Sequence, residues 1–115
     1  MKSYLVLIKE SAESAANLSP QAAQEAVALY TAWARKLDSE GRFVTADGLS
    51  PESRTLRTPG GGAEIKHIST ADAKEIVTGF YVIRAASFDE AQAICEECPA
   101  LQLGEFVEIR EQMEY

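Results

Sequence analysis

Apolar positions along the chain follow two periods that alternate from segment to segment. Tyr4-Leu5-Val6-Leu7-Ile8 is a continuous apolar run with polar flanks and reads as a buried strand. Residues 10 to 17, rich in Ala and Ser, read as a polar loop. Leu18-Ser19-Pro20 then signals a helix start. Ser19 is the N-cap, and Pro20 takes the first helical position, where a missing N–H costs nothing. Ala23, Ala26, Val27, Tyr30, Trp33, Ala34 and Leu37 keep helical spacing up to Gly41, a C-cap residue. This predicts a long amphipathic helix. A second strand is expected over Arg42 to Ala46 and a turn over Asp47-Gly48-Leu49-Ser50-Pro51.

Thr55 to Thr58 and Ala63 to Ile68 read as short strands joined by Pro59-Gly60-Gly61-Gly62. The glycine run is a hairpin tip. A phosphate cradle would need Gly-Lys-Ser/Thr opening a helix, and Ala63-Glu64-Ile65 follows instead. Ile76 to Ala85 is the clearest strand, with Gly79 marking a bulge or a close approach of another backbone. Ser87-Phe88-Asp89-Glu90 forms a capping box. The helix it opens has Ala91, Ile94, Cys95 and Cys98 inside and is expected to end at Cys98-Pro99. Glu105 to Arg110 is the last strand, with Val107 and Ile109 on one face and Phe106, Glu108 and Arg110 on the other.

The order β–α–β–(hairpin)–β–α–β predicts an α+β fold, a ferredoxin-like sandwich whose antiparallel sheet carries two helices on one face. The other face needs a second cover. In a fold this small, the sheet of another copy is the expected cover, giving a two-fold homodimer.

The 115 residues make a single domain, 1–115. A net charge of -7, with the eleven basic residues scattered, argues against nucleic acid and against an anionic membrane surface. The apolar run near the start is too short for a signal core or a membrane span. A cytoplasmic location is therefore expected, with Cys95 and Cys98 reduced. Cys95-Glu96-Glu97-Cys98 has redox spacing but stands at a helix C-terminus beside two acids, where a thiol pKa rises. The two cysteines read as small buried hydrophobes.

His67 is the only histidine, so no multi-histidine metal site can form in one subunit, and no metal or other cofactor is expected. Its imidazole suits acid/base work at neutral pH, against the plainer reading of a strand-end residue. Glu75, beside Lys74, could orient an imidazole or take a proton; as a solvated ion pair it would do neither. Tyr30, Trp33 and Tyr81 are candidates for a pocket wall or for plain core. Asp47 and Arg57 flank a turn near the sheet end, where ligand contact competes with local turn hydrogen bonding. No Ser-His-Asp order, dinucleotide-binding glycine fingerprint or zinc-protease motif is present.

Several short segments recur together in a known order and spacing. In the first half these are the Tyr-Leu-Val-Leu-Ile strand, Leu18-Ser19-Pro20, Leu37/Gly41 and Gly48-Leu49-Ser50-Pro51 followed by Thr55-Leu56-Arg57. In the second half they are Lys74-Glu75, Gly79-Phe80-Tyr81, Asp89-Glu90-Ala91, Cys98-Pro99 and Glu108-Ile109-Arg110. With these, the chain resembles the YCII-related family in its DGPF-motif branch. The resemblance implies a dimeric α+β barrel with a small pocket between sheet and helix in each subunit. It also implies either of two functions. One is a cofactor-independent enzyme doing isomerase- or lyase-type acid/base chemistry on a small compound, aromatics included. The other is a non-catalytic small-molecule-binding or accessory module. Two departures stand out. Where the branch carries Asp-Gly-Pro-Phe, this chain reads His67-Ile68-Ser69-Thr70, and Tyr30 stands where YCII proteins tend to have a helix histidine.

Overall fold

The first strand, β1 (Lys2–Ser11), lies at the centre of a four-stranded antiparallel sheet. In this computed structural model the described residues are 1–62, the backbone of 66–68, and 75–115. Tyr4, Val6 and Ile8 of β1 are buried, whereas Leu5 and Leu7 between them are half-buried. The apolar run is therefore continuous because both sheet faces are apolar there, although helices cover only one of them.

A short helix α1 (Ala12–Ala16) follows, then α2 (Pro20–Ser39), β2 (Phe43–Gly48) and the hairpin strands β3 (Thr55–Arg57) and β4 (Lys66–Ile68). The chain continues with β5 (Glu75–Ala85), α3 (Phe88–Cys95), α4 (Pro99–Gln102) and β6 (Phe106–Glu111). Sheet order is β2-β5-β1-β6, and β3 and β4 pair only with each other. This is the expected ferredoxin-like α+β arrangement, with the hairpin inserted between the second and third strands of the main sheet. Among the described residues no helix is long and apolar enough to cross a membrane.

Three local expectations are corrected. Residues 10 to 17 are not a loop: β1 continues through Glu10 and Ser11, which pair with Ile76 and Glu75 of β5. Ser11 then caps α1, its Oγ accepting from the Ser14 N–H at 3.1 Å. Pairing with a long neighbour strand outweighs the local polarity. The second helix ends at Cys95, not at Cys98-Pro99. A residue before proline is disfavoured in the α region, so Cys98 is extended (ψ 129°) and becomes the N-cap of α4. Asp47 and Gly48, expected in a turn, pair with Phe80 and Gly79 as the end of β2. The hairpin tip is a 3₁₀ turn over Pro59–Gly61, with Gly60 and Gly61 at positive φ. Residues 63–65 of the expected strand after it lie outside the described residues.

Gly79 meets both parts of its expectation. The β1–β5 register slips beside it, passing from Ile8↔Gly79 to Lys9↔Val77. A Cβ at this position would stand 3.2 Å from the Asp47 carbonyl oxygen, so with any other residue β2 would have to give by a few tenths of an ångström.

The core lies between the sheet and the helices. Tyr4, Val6 and Ile8 of β1 and Tyr81, Ile83 and Ala85 of β5 pack under Trp33 and Leu37 of α2 and Ala91 and Cys95 of α3. The buried Tyr4 ring meets Phe88 edge-on at 5.6 Å, and its hydroxyl donates to Glu111 at 3.2 Å. The first half of α2 stands away from this core, with Val27 64% exposed. Leu37→Ala is expected to cost about 2–5 kcal/mol, because its fully buried side chain leaves a cavity. Val27→Ala, although on the same predicted stripe, should stay within about 0.5 kcal/mol. Paired urea melts of the two variants check the difference.

Candidate functional site

The register of β1 against β6 brings two carboxylates together. Ile8 pairs with Val107 and Lys9 with Phe106, so the next positions outward are Glu10 and Glu105. Both share the parity of the helix-covered residues, Glu10 with Tyr4, Val6 and Ile8, and Glu105 with Val107 and Ile109. Gly104, at φ 76°, turns the chain out of α4, and the Glu105 N–H is fixed by the Ala100 carbonyl at 2.9 Å. From α2, the Tyr30 hydroxyl donates to Glu105 Oε2 at 3.3 Å. The Tyr81 hydroxyl donates to the Tyr30 carbonyl at 2.6 Å, pinning that turn of α2 to β5. Trp33 packs on Tyr81 with ring centres 4.6 Å apart, and Tyr30 lies 6.1 Å from Tyr81. Trp33 Nε1 is buried with no hydrogen-bond partner among the described residues.

The electrostatics follow from this geometry. Burial, then the hydrogen bond and negative charge of Glu10, push the Glu105 carboxyl up to about 7; the Tyr30 hydroxyl pulls the other way. The Glu10 charge beside it makes ionisation of Glu105 more costly than in water. Burial, and next the charge of Glu105, hold the Tyr30 phenol far above its ordinary value, so it remains a donor. Burial takes Tyr81 up to about 12. Burial likewise takes the Cys95 thiol to about 12 and the Cys98 thiol to about 11. Both thiols stay protonated and unreactive at neutral pH. Among the described side chains, Glu105 is thus placed to exchange a proton near pH 7, held between a second acid and a phenol.

Of the residues singled out from the sequence, the fold gathers Tyr30, Trp33 and Tyr81 into this cluster. It does not bring the others there. Glu75 pairs with Ser11, on the pleat side opposite Glu10, where its charge acts on Lys9. Asp47 is exposed and pairs with Phe80, which points away from Tyr81's face. Arg57 is exposed in the separate hairpin, opposite Lys66, and His67 lies there opposite Leu56. Lys74 lies outside the described residues. A shallow hollow of about 330 Å³ lies on the other side of the sheet, over Leu5, Leu7 and Val82 beside Arg110. It is the relief of an uncovered strand surface and does not touch the Tyr30 cluster. Glu10 and Glu105 were missed in the sequence, although strand parity alone sets both acids on the covered face.

Element order, sheet order and helices on one face define a ferredoxin-like α+β domain with an acid pair at the end of its covered face. The chain belongs to the YCII-related domain family, whose model matches residues 2–113. No curated protein matches it by sequence. Among solved structures it is similar to 5-chloro-2-hydroxyhydroquinone dehydrochlorinase (TftG) from Burkholderia phenoliruptrix, in complex with 2,5-dihydroxybenzoquinone. The TM-score is 0.56 at 17% identity, over 98% of this chain and 95% of that one. At that identity the likeness concerns the fold.

The raised Glu105 value has a defined consequence for stability. The folded state holds its proton up to about pH 7, whereas an unfolded glutamate releases it near its ordinary value of 4.5. Between those values the native state binds more protons, so this contribution is complete below about pH 4.5 and is lost as pH rises toward 7. Urea midpoints of wild type and Glu105→Gln, measured from pH 4.5 to 7.5, are expected to converge at the acid end. At the neutral end the variant should be the more stable. Parallel profiles would place Glu105 in the ordinary carboxylate range.

Proposed function

We propose that this chain is a small cofactor-independent enzyme that moves protons on a small, oxygenated aromatic or quinone-like compound, working as a homodimer through its open sheet face. The observation that carries this reading is the Glu105 carboxyl, poised near neutral pH between Glu10 and the Tyr30 hydroxyl. A general acid/base works best when its pKa lies near the working pH. As a carboxylate, Glu105 would take a proton from an acidic hydroxyl or C–H of the substrate. In an elimination, the freed electron pair forms the new double bond and the leaving group departs with its own electrons. In an isomerisation, Glu105 returns the proton to another atom. The Glu10 charge would keep that carboxyl basic, and Tyr30 would hold it in place. The fold-level neighbour, a dehydrochlorinase that holds a dihydroxybenzoquinone, makes hydroxylated rings the first class to try.

His67 as acid/base with Glu75 as its orienting partner is the competing assignment of the same chemistry. A binding module without turnover is the alternative function. It is favoured by the tight ring packing, in which the Tyr81 hydroxyl is already engaged by the Tyr30 carbonyl. Substitution separates the three. A panel of dihydroxybenzoquinones, hydroquinones and hydroxylated lactones is assayed for turnover by absorbance and for binding through Trp33, the single tryptophan. Glu105→Gln is expected to lower turnover by about 10²-fold or more while the ligand still binds. The same loss in His67→Ala, with Glu105→Gln active, would move the chemistry to the hairpin. Binding without turnover in the wild type would select the binding module.

A further inference from the structure

By sequence Tyr81 is a candidate pocket wall, yet its hydroxyl faces a main-chain oxygen. It donates to the Tyr30 carbonyl at 2.6 Å, and the residue is 5% exposed. That carbonyl lies inside α2, where the helix ladder already supplies it with the Ala34 N–H, four residues on. A carbonyl oxygen has two lone pairs, so the phenol adds a second bond and displaces nothing. The helix does not need this donor to form. Its effect is to fix one turn of α2 over β5.

That turn is where α2 parts from the core. About one turn later Trp33 is buried, and about one turn earlier Val27 is exposed. Tyr30 packs partly buried at the boundary. Its side chain carries the position of the turn to Glu105. Rotation about the Cβ–Cγ bond leaves the phenol oxygen in place, since that oxygen lies on the rotation axis. Only the backbone and χ1 therefore set where the hydroxyl stands. The Tyr81 hydroxyl holds the backbone, and the Tyr81 ring, 6.1 Å from the Tyr30 ring, restricts χ1. The Tyr30 hydroxyl reaches Glu105 at 3.3 Å, the long end of hydrogen-bonding distance. A small outward shift of the turn would break that bond.

Among the described residues, the titratable groups around Glu105 are Glu10 from β1, Tyr30 from α2 and Cys98 ahead of α4. The Cys98 thiol, raised to about 11, keeps its proton while Glu105 titrates. Burial and Glu10 raise the Glu105 carboxyl, and the Tyr30 hydroxyl opposes them by bonding to the charged form. Tyr81 is bonded to the Tyr30 backbone and to neither acid, so its influence on Glu105 passes through Tyr30.

We infer that Tyr81 is a positioning residue for the proposed acid/base chemistry, its hydroxyl tethering the Tyr30 turn and so keeping the Tyr30 phenol on Glu105. The inference rests on the proposed role of Glu105, and the test keeps the two apart. Glu105 is titrated by carboxyl ¹³C NMR, without ligand, in wild type, Tyr81→Phe, Tyr30→Phe and the double variant. Phenylalanine keeps each ring and removes only the hydroxyl, and circular dichroism confirms the fold. Ile83→Val, buried two residues along β5, is the control for loosened packing. Tyr81→Phe and Tyr30→Phe are each expected to raise the Glu105 midpoint, by about 0.5 pH or more. The double variant should match Tyr30→Phe alone, and Ile83→Val should match wild type. A Tyr81→Phe midpoint equal to that of wild type would overturn the tether. So would a double variant that sums the two rises, or an equal rise in Ile83→Val. A wild-type midpoint near 4.5 would remove Glu105 as the acid/base, and this inference with it.

Discussion

A two-layer α+β domain of this kind can cover only one face of its sheet, and the other features of this molecule depend on that constraint. Side chains alternate along every strand, so residue parity decides which layer a residue joins. Tyr4, Val6 and Ile8 enter the helix-covered core, while Leu5 and Leu7 remain on the open side. The same alternation carries one acid from β1 and one from the start of β6 onto the covered face, where polar groups are expensive to hold charged. The core and the candidate site are thus consequences of one packing arrangement.

At the covered end of the sheet, three elements hold Glu105 from different directions. Gly104 turns the backbone into position, β1 supplies the second acid at Glu10, and α2 supplies a phenol that keeps its proton. Tyr81 anchors α2 through the Tyr30 carbonyl, so the reach of Tyr30 to Glu105 depends on a strand two positions away from β6. A neutral-range carboxyl here requires no metal or reactive thiol. It arises from burial and from a neighbouring like charge.

The fold was largely legible in the sequence. Ser19-Pro20 and Ser87 with Glu90 marked the helix starts; both serines accept from the expected first-turn N–H groups, of Ala22 and Glu90. Gly79 announced the close approach of β2. What escaped local reading had tertiary causes. Glu10 and Ser11 look like loop residues until β5 proves long enough to pair with them. Val27 fits the helical stripe, yet it is 64% exposed and stands outside the core. The aromatic half of the candidate site was visible as Tyr30, Trp33 and Tyr81. Its acidic half was not, because Glu10 and Glu105 are 95 residues apart and meet only through the β1–β6 register. His67 lies on the hairpin and Glu75 on the open pleat side, apart from this cluster.

The central claim is that Glu105 exchanges its proton near neutral pH because it is buried beside Glu10, a rise that the Tyr30 hydroxyl only partly offsets. The direct measurement is a carboxyl ¹³C NMR titration of protein labelled at its glutamate side chains. The Glu105 resonance is assigned by its loss in Glu105→Gln. The account predicts that this resonance titrates with a midpoint near 7 and moves toward the ordinary range when Glu10 is replaced by Gln. A Glu105 midpoint close to 4.5, the ordinary glutamate value, would contradict it.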